Sequence, residues 1–392
     1  MSHELSYERR TLPADTEPHY ASRRMQLLRR EPYDAAVPAS IAAESFTLSA
    51  DVLSEADDAT RELVRFDSER ASFIAPFSAV LLRTESASSS QIENLTAGPR
   101  AIAEAVIGER THGNADLILS NVRAMEAALA LAEDIENASI ITMHEALLGD
   151  SAPHMTGGYR QEQVWIGGQL PHKASFVPPH YDRVQAAMDD LVAFIRRVDI
   201  PVLAQVAIAH AQFETIHPFP DGNGRTGRAL AHAMLRHGGI LRHLAVPVSA
   251  GLLTDLERYF DALTAFRRGE AEPIVSVFSD AALKAVANAD ELANDIGASR
   301  EEWSQRLSGI RSDAVARALA ELSIEYPVLN ATTAAHVTGA SRPAVTNGLD
   351  TLVERGVLVR GNSAHRNRTW INSDVLDALT AFAERSGRRA RP

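Results

Sequence analysis

Within twelve residues the chain places a base, an acid, a glycine-rich turn and two arginines: His217-Pro218-Phe219-Pro220-Asp221-Gly222-Asn223-Gly224-Arg225-Thr226-Gly227-Arg228. These parts suit the transfer of a phosphate-linked group. The glycines let backbone N–H groups come close to an anion, and the run Ala229–Arg236 that follows reads as a helix whose N-terminus favours negative charge. Arg225 and Arg228 lie three apart, so on a helix they share a face and both can point at phosphate. Asp221 offers a hard oxygen for Mg2+, an ion that reaches proteins through one or two carboxylates plus substrate phosphates. His217 is the one side chain of the stretch that takes a proton near neutral pH. Each part alone is commonplace. A histidine before proline usually packs or caps, Gly-x-Gly usually marks a turn, and helix arginines usually face water. The full set in this order is not commonplace.

The stretch resembles the signature of the Fic family, His-x-Phe-x-Asp/Glu-Gly-Asn-Gly-Arg-x-x-Arg, with every fixed position present. The nearest pattern is that of bacterial Fic protein adenylyltransferases. The resemblance implies a mainly α fold, a Fic helical core with a β-hairpin flap, that binds ATP with Mg2+. The nucleotide would lie over Gly222, Asn223, Gly224, Arg225, Thr226, Gly227 and Arg228. His217 would take the proton of a Ser, Thr or Tyr hydroxyl on a target protein or on the chain itself, and pyrophosphate would leave. The resemblance assigns the α-phosphate to the Asn223 region, Mg2+ to Asp221, and the β/γ-phosphates to Arg225 and Arg228. Relatives that phosphorylate their targets, such as the toxin Doc, tend to carry lysine where Gly224 stands, so glycine implies nucleotidyl transfer. Phe219 reads as an anchor for the loop.

Other elements must position this set. Val202–Ile216 reads as a helix that delivers His217, preceded by another at Asp182–Val198. Upstream, Gln163–Gly168 and Ala174–Pro179 read as two short strands around a Gly/Pro/His turn. By resemblance this hairpin is the flap, with Val164, Trp165, Ile166 and Gly167 over the nucleotide mouth; an edge strand can register a target segment by main-chain hydrogen bonds. Leu253–Arg268 reads as helix, and its Tyr259 and Phe260 resemble the aromatic pair near the adenine, although aromatics at helical spacing are more often core. Further upstream, Ser89-Ser90-Gln91-Ile92-Glu93-Asn94 matches the Fic inhibitory pattern Ser/Thr-x-x-x-Glu-Gly/Asn. On a helix Ser89 and Glu93 share a face. By resemblance Glu93 would hold Arg228 away from the γ-phosphate, with Asn94 closing the motif. The same glutamate could instead orient a water for removal of AMP.

Composition sets the limits. The chain has 392 residues, 45% hydrophobic and 23% charged, an ordinary globular balance. It has no cysteine, which excludes disulfides and thiolate chemistry and fits a cytoplasmic setting. The N-terminus carries no secretory pattern and no apolar run approaches a membrane span, so no membrane partner is expected. A net charge of −12 argues against coating nucleic acid with the whole chain.

The expected organisation is an arm at 1–40, a helical region with the inhibitory helix at 41–112, the Fic core at 113–270, a helical linker at 271–309, and a winged-helix-like domain at 310–380. A basic tail follows at 381–392. In the penultimate segment three helices precede a two-stranded wing, a pattern that resembles a winged helix-turn-helix. The wing carries Arg360, His365, Arg366 and Arg368, and the tail Arg385, Arg388, Arg389 and Arg391. DNA is a candidate partner there, against which stand Asp350 and Glu354 on the recognition helix; dimerisation or substrate docking is the alternative, and a homo-oligomer is compatible with either.

Overall fold

Helices dominate because long runs of Ala, Leu, Glu and Arg are strong helix formers, and most glycines and prolines fall between them. The computed structural model describes residues 4–12, 28, 30–109, 113–311, 314–361 and 368–387. In chain order its first half holds β1 (Ser6–Arg10), β2 (Tyr33–Val37), α1 (Ala50–Ile74), α2 (Ser78–Ile92), α3 (Pro99–Val106), α4 (Ala115–Ala130), α5 (Asn137–Leu148), α6 (Val184–Ile195), α7 (Val202–Ile216) and α8 (Asn223–His237). Then come α9 (Val248–Leu253), α10 (Leu256–Arg267), α11 (Glu272–Arg306), α12 (Val315–Glu325), β3 (Val328–Asn330), α13 (Ala331–Thr338), α14 (Arg342–Glu354), β4 (Val359–Arg360), β5 (Thr369–Ile371) and α15 (Ser373–Arg385). None of these helices is long and apolar enough to cross a membrane. The chain forms two compact units, each assembled from separate stretches: Met1–Thr60, Arg123–Ile240 and Asp255–Ser279 in one, Arg61–Val122, Leu241–Thr254 and Asp280–Pro392 in the other.

The first unit is built around α7. Every residue from Leu203 to Ile216 is buried, the pattern of a helix with neighbours on all sides; α6, α8 and α10 pack on it, and α5 packs on α8. Gln205 is accommodated because its amide donates to the carbonyls of Phe194, Ile195 and Arg197 at 2.9, 3.0 and 2.9 Å. At Gly227 the α7–α8 approach is too close for a side chain. A Cβ there would lie 2.8 Å from Cδ1 of Phe213 and 3.2 Å from Oε1 of Glu214.

The structure differs from the sequence expectation at several points. The arm contains an antiparallel pair, β1 with β2, in which Tyr7 faces Ala36; β1 is largely exposed, so it carries no apolar alternation to read. The two strands expected at Gln163–Gly168 and Ala174–Pro179 reduce to one bridge, Ile166 to Phe176. Gly167 and Gly168 adopt φ of 70° and 75°, and Pro178 and Pro179 have no N–H to donate, so the ladder stops. The segment pairs instead with β2, where the Ala36 N–H donates to the Val177 carbonyl at 3.0 Å. Leu253–Arg268 is broken before α10, whose start is capped by Asp255 accepting from the Arg258 N–H at 3.0 Å. The helix expected at Ala229 begins at Asn223.

In the second unit, α2 carries a mostly buried surface of small polar residues and Glu85. That carboxylate accepts the backbone N–H of Ser249 at 2.8 Å and its hydroxyl, at the start of α9. Asp67 likewise accepts the N–H groups of Arg242, His243 and Leu244 at 3.0, 3.0 and 2.8 Å. Near the C-terminus α12, α13 and α14 accompany a three-stranded antiparallel sheet with β5 at its centre. Its strand β3, with Leu329 opposite Trp370, was not anticipated, and α15 runs into the stretch read as tail. Arg360 lies 3.5 Å from Asp350 and Arg385 3.0 Å from Glu291, so both meet acids. His365, Arg366, Arg388, Arg389 and Arg391 lie outside the described residues.

Candidate active site

The signature forms a turn between two buried helices, and each side chain has a traceable place. Helix α7 ends at His217, whose φ of 51° is left-handed and whose N–H donates to the Phe213 carbonyl at 2.8 Å. A non-glycine residue in this region costs free energy and is usually held there by its surroundings. Pro218 then prevents continuation of the helix.

Phe219 anchors the turn as expected. It is fully buried and stacks on His144 of α5, with ring centroids 3.8 Å apart and planes 1° from parallel. His144 also supports the next corner, its Nε2 lying 3.0 Å from the Asp221 carbonyl; a carbonyl only accepts, so Nε2 carries the proton. Gly222 takes φ of 75°, and a Cβ on it would come within 2.9 Å of a Leu147 methyl. The sequence requires glycine there twice over, for conformation and for space.

Helix α8 opens with the Thr226 N–H donating to the Gly222 carbonyl at 3.0 Å. By helix geometry the N–H groups of Asn223, Gly224 and Arg225 then have no intrahelical acceptor and point out of the helix start. The side chain of Asn223 is used within the turn, accepting the Phe219 N–H and donating to the Phe219 carbonyl, both at 2.8 Å. Its contribution to an anion is therefore the backbone. Gly227 serves helix packing, and Thr226 is fully buried; neither faces outward from the helix start. Arg225 and Arg228 are both nearly buried, and Arg225 Nη2 lies 3.8 Å from Asp221 Oδ2. The Asp221 side chain is 65% exposed, open to a cation. Among the described residues no group of three or more His, Asp or Glu side chains is arranged to hold a metal; Asp221 is the exposed carboxylate at this turn.

His217 sits in a positive environment. Its side chain is 20% exposed, with Nδ1 3.9 Å from Glu214 Oε2, beyond hydrogen-bonding distance. Burial, reinforced by the charges of Arg160 and Arg267, pushes the imidazole down to about 3, against a smaller opposite pull from Glu214 and Asp221. The ring is accordingly neutral at physiological pH and able to accept a proton. Arg267 extends over the Phe176 ring at 3.7 Å.

Two sequence expectations change. Of the aromatic pair, Tyr259 is buried with its hydroxyl 2.7 Å from His210 Nε2, a strut between α10 and α7, whereas Phe260 is 49% exposed. In the second unit, α2 ends at Ile92, so Glu93 is its C-cap, with φ −87° and ψ 15°. Ser89 is fully buried inside the helix, Glu93 is exposed, and Asn94 is left-handed at φ 61°. Arg160, His144, Glu214, His210 and Arg267 carried no motif and were not anticipated; burial, which gives them their importance, is invisible in a single sequence.

Residues 134–235 match the model of the Fic/DOC family, and they form a Fic/DOC domain. Protein adenylyltransferase fic-1 of Caenorhabditis elegans is 31% identical over 146 residues, which cover 36% of this chain and 26% of that protein. Protein adenylyltransferase Fic of Aedes aegypti is 29% identical over 141 residues, again 36% and 26%. The chain thus spans about a quarter of the length of these curated relatives. A crystal structure of a Fic family protein from Desulfovibrio desulfuricans superposes with a TM-score of 0.53 at 24% identity, over 83% of this chain and 97% of that one, so the fold is shared along most of the molecule.

Proposed function

We propose that this chain is a protein adenylyltransferase, moving AMP from ATP to a Ser, Thr or Tyr hydroxyl of a target protein or of itself. The observation that carries the reading is His217 held in a left-handed cap, one short turn ahead of the N–H groups and arginines at the start of α8. The Fic/DOC match and the adenylyltransferase relatives support it. The incoming hydroxyl oxygen bonds to the α-phosphorus, the bond to the pyrophosphate oxygen breaks, and the hydroxyl proton passes to His217. Charge neutralisation and positioning supply most of the acceleration in such reactions. The helix start and Arg225 would bind phosphate oxygens, and Arg228 would bind the γ-phosphate. Asp221 is the residue to hold Mg2+, which when bound offsets phosphate charge. Ile166, with Val164, Trp165 and Gly167, would border the nucleotide, and Phe260 the base.

Regulation by Glu93 belongs to the same reading: Glu93 would restrain transfer, and its loss would release it. A second reading concerns the C-terminal segment. The order α12, α13, α14 and a β3–β5–β4 sheet favours a winged-helix module able to bind duplex DNA, and a titration at low salt with the full chain tests it, since phosphate contacts weaken steeply as salt rises. The transfer reading is tested by intact mass after incubation with ATP and Mg2+. The expected product gains one AMP, and a His217→Ala chain gains none.

A further inference from the structure

Arg160 is a buried guanidinium, 2% exposed, that forms no ion pair with a carboxylate among the described residues. Its partners are all backbone carbonyls. Nε donates to His217 at 2.9 Å, Nη1 to Glu162 at 2.9 Å, and Nη2 to Pro179 at 2.5 Å and Ile216 at 3.4 Å. The Arg160 N–H donates to the Pro218 carbonyl at 2.9 Å. Three of these acceptors are consecutive, closing α7 and opening the catalytic turn. The other two flank the flap segment, one on each side of the Ile166–Phe176 bridge. A buried charge is costly unless its hydrogen bonds are made, and a planar fork is the side chain able to reach so many carbonyls at once.

We propose that Arg160 is a positioning residue that locks the catalytic turn to both ends of the flap, fixing the spacing between the proton acceptor and the segment that would guide the incoming hydroxyl. The proposal rests on the transfer reading above. It explains why His217 tolerates a left-handed backbone: its carbonyl and both neighbouring carbonyls are held by one residue. The lock also has an electrostatic side. The groups that bear on His217 are Glu214 from α7, Arg267 from α10, Asp221 from the turn and Arg160 itself. Burial pushes Arg160 down to about 10, so it stays charged at neutral pH and opposes protonation of the imidazole.

The test uses the full chain with Arg160→Lys and Arg160→Met, and three readouts: transfer kinetics, NMR titration of the His217 imidazole, and amide hydrogen exchange at Ile166 and Ser175, whose N–H groups donate to the Phe176 and Ile166 carbonyls at 2.8 and 2.9 Å. Arg160→Lys keeps a charge and loses the fork. Its kcat is expected to fall about 100-fold while KM for ATP stays within about threefold, with faster exchange at both amides and a His217 titration close to wild type. Arg160→Met loses the charge too, and His217 is expected to titrate at a higher pH. Wild-type kcat and wild-type exchange in Arg160→Lys would overturn the lock, as would an unmoved His217 titration in Arg160→Met. Should Arg160→Met not fold, Arg160→Lys decides alone. Exchange and titration need no turnover, so a wild-type chain that transfers nothing refutes the transfer reading while leaving the lock to be judged on these two measurements.

Discussion

At the scale of single residues, the proposed reaction rests on His217, and its surroundings make two expectations definite. Replacement by alanine should cost about a hundredfold to ten-thousandfold in transfer with ATP binding largely retained, as read by calorimetry beside the transfer assay. The second concerns pH. With burial, Arg160 and Arg267 holding its imidazole at about 3, the neutral, proton-accepting form persists far below the ordinary value of about 6.5. Transfer should therefore stay flat from about pH 7.5 to 5.5, where an unperturbed histidine would already lose most of its base form; a decline centred near pH 6.5 would contradict the assignment. Stability follows the opposite course. His210, also held at about 3 by burial and by Arg228, and His217 stay neutral in the native state while the unfolded chain protonates both. Stability should fall as pH drops from about 6.5 toward 3, by up to roughly 1.4 kcal/mol per pH unit for each histidine, as measured by denaturant titration.

At the scale of elements, the site depends on close approaches that only particular residues allow. Gly227→Ala gains helix propensity of about 1 kcal/mol but places a methyl 2.8 Å from Phe213, and overpacking a core commonly costs about 1–3 kcal/mol. The contact sits between two buried helices with little room to shift, so the net effect should be destabilising and visible as a lower Tm. How much was legible in the sequence follows from the same physics. Helix α7 was readable to the residue because its apolar run is long and a proline follows at 218; the signature was readable as one local motif, but its second half, from Asn223, is already helix rather than turn. The flap was only half readable: aromatic and β-branched residues promised strands, but paired glycines and prolines removed the ladder. Tyr259 and Asn223 illustrate a further limit. Resemblance implied ligand contacts for both, and in the structure the Tyr259 hydroxyl meets His210 while the Asn223 amide meets the Phe219 backbone. The β1–β2 pair gives no sequence signal because β1 is largely exposed and carries no apolar alternation.

At the scale of the whole molecule, activity is expected to be restrained within the chain itself. Glu93→Gly should raise self-modification or target modification strongly, and in a double-mutant comparison Glu93 should add little once Arg228 is alanine. The position of Glu93 at an exposed helix end suits a group that exchanges partners without disturbing the core. The most direct measurement of the central claim is transfer from α-radiolabelled ATP with Mg2+, comparing wild type, Glu93→Gly, His217→Ala and the Glu93→Gly/His217→Ala pair, with intact mass to identify the adduct. The expected result is weak labelling of wild type, strong labelling of Glu93→Gly by one or more AMP groups, and none in either chain lacking His217. Labelling that survives loss of His217, or a Glu93→Gly chain that transfers no AMP to itself or to any supplied protein while remaining folded and binding ATP, would contradict an adenylyltransferase driven by this histidine.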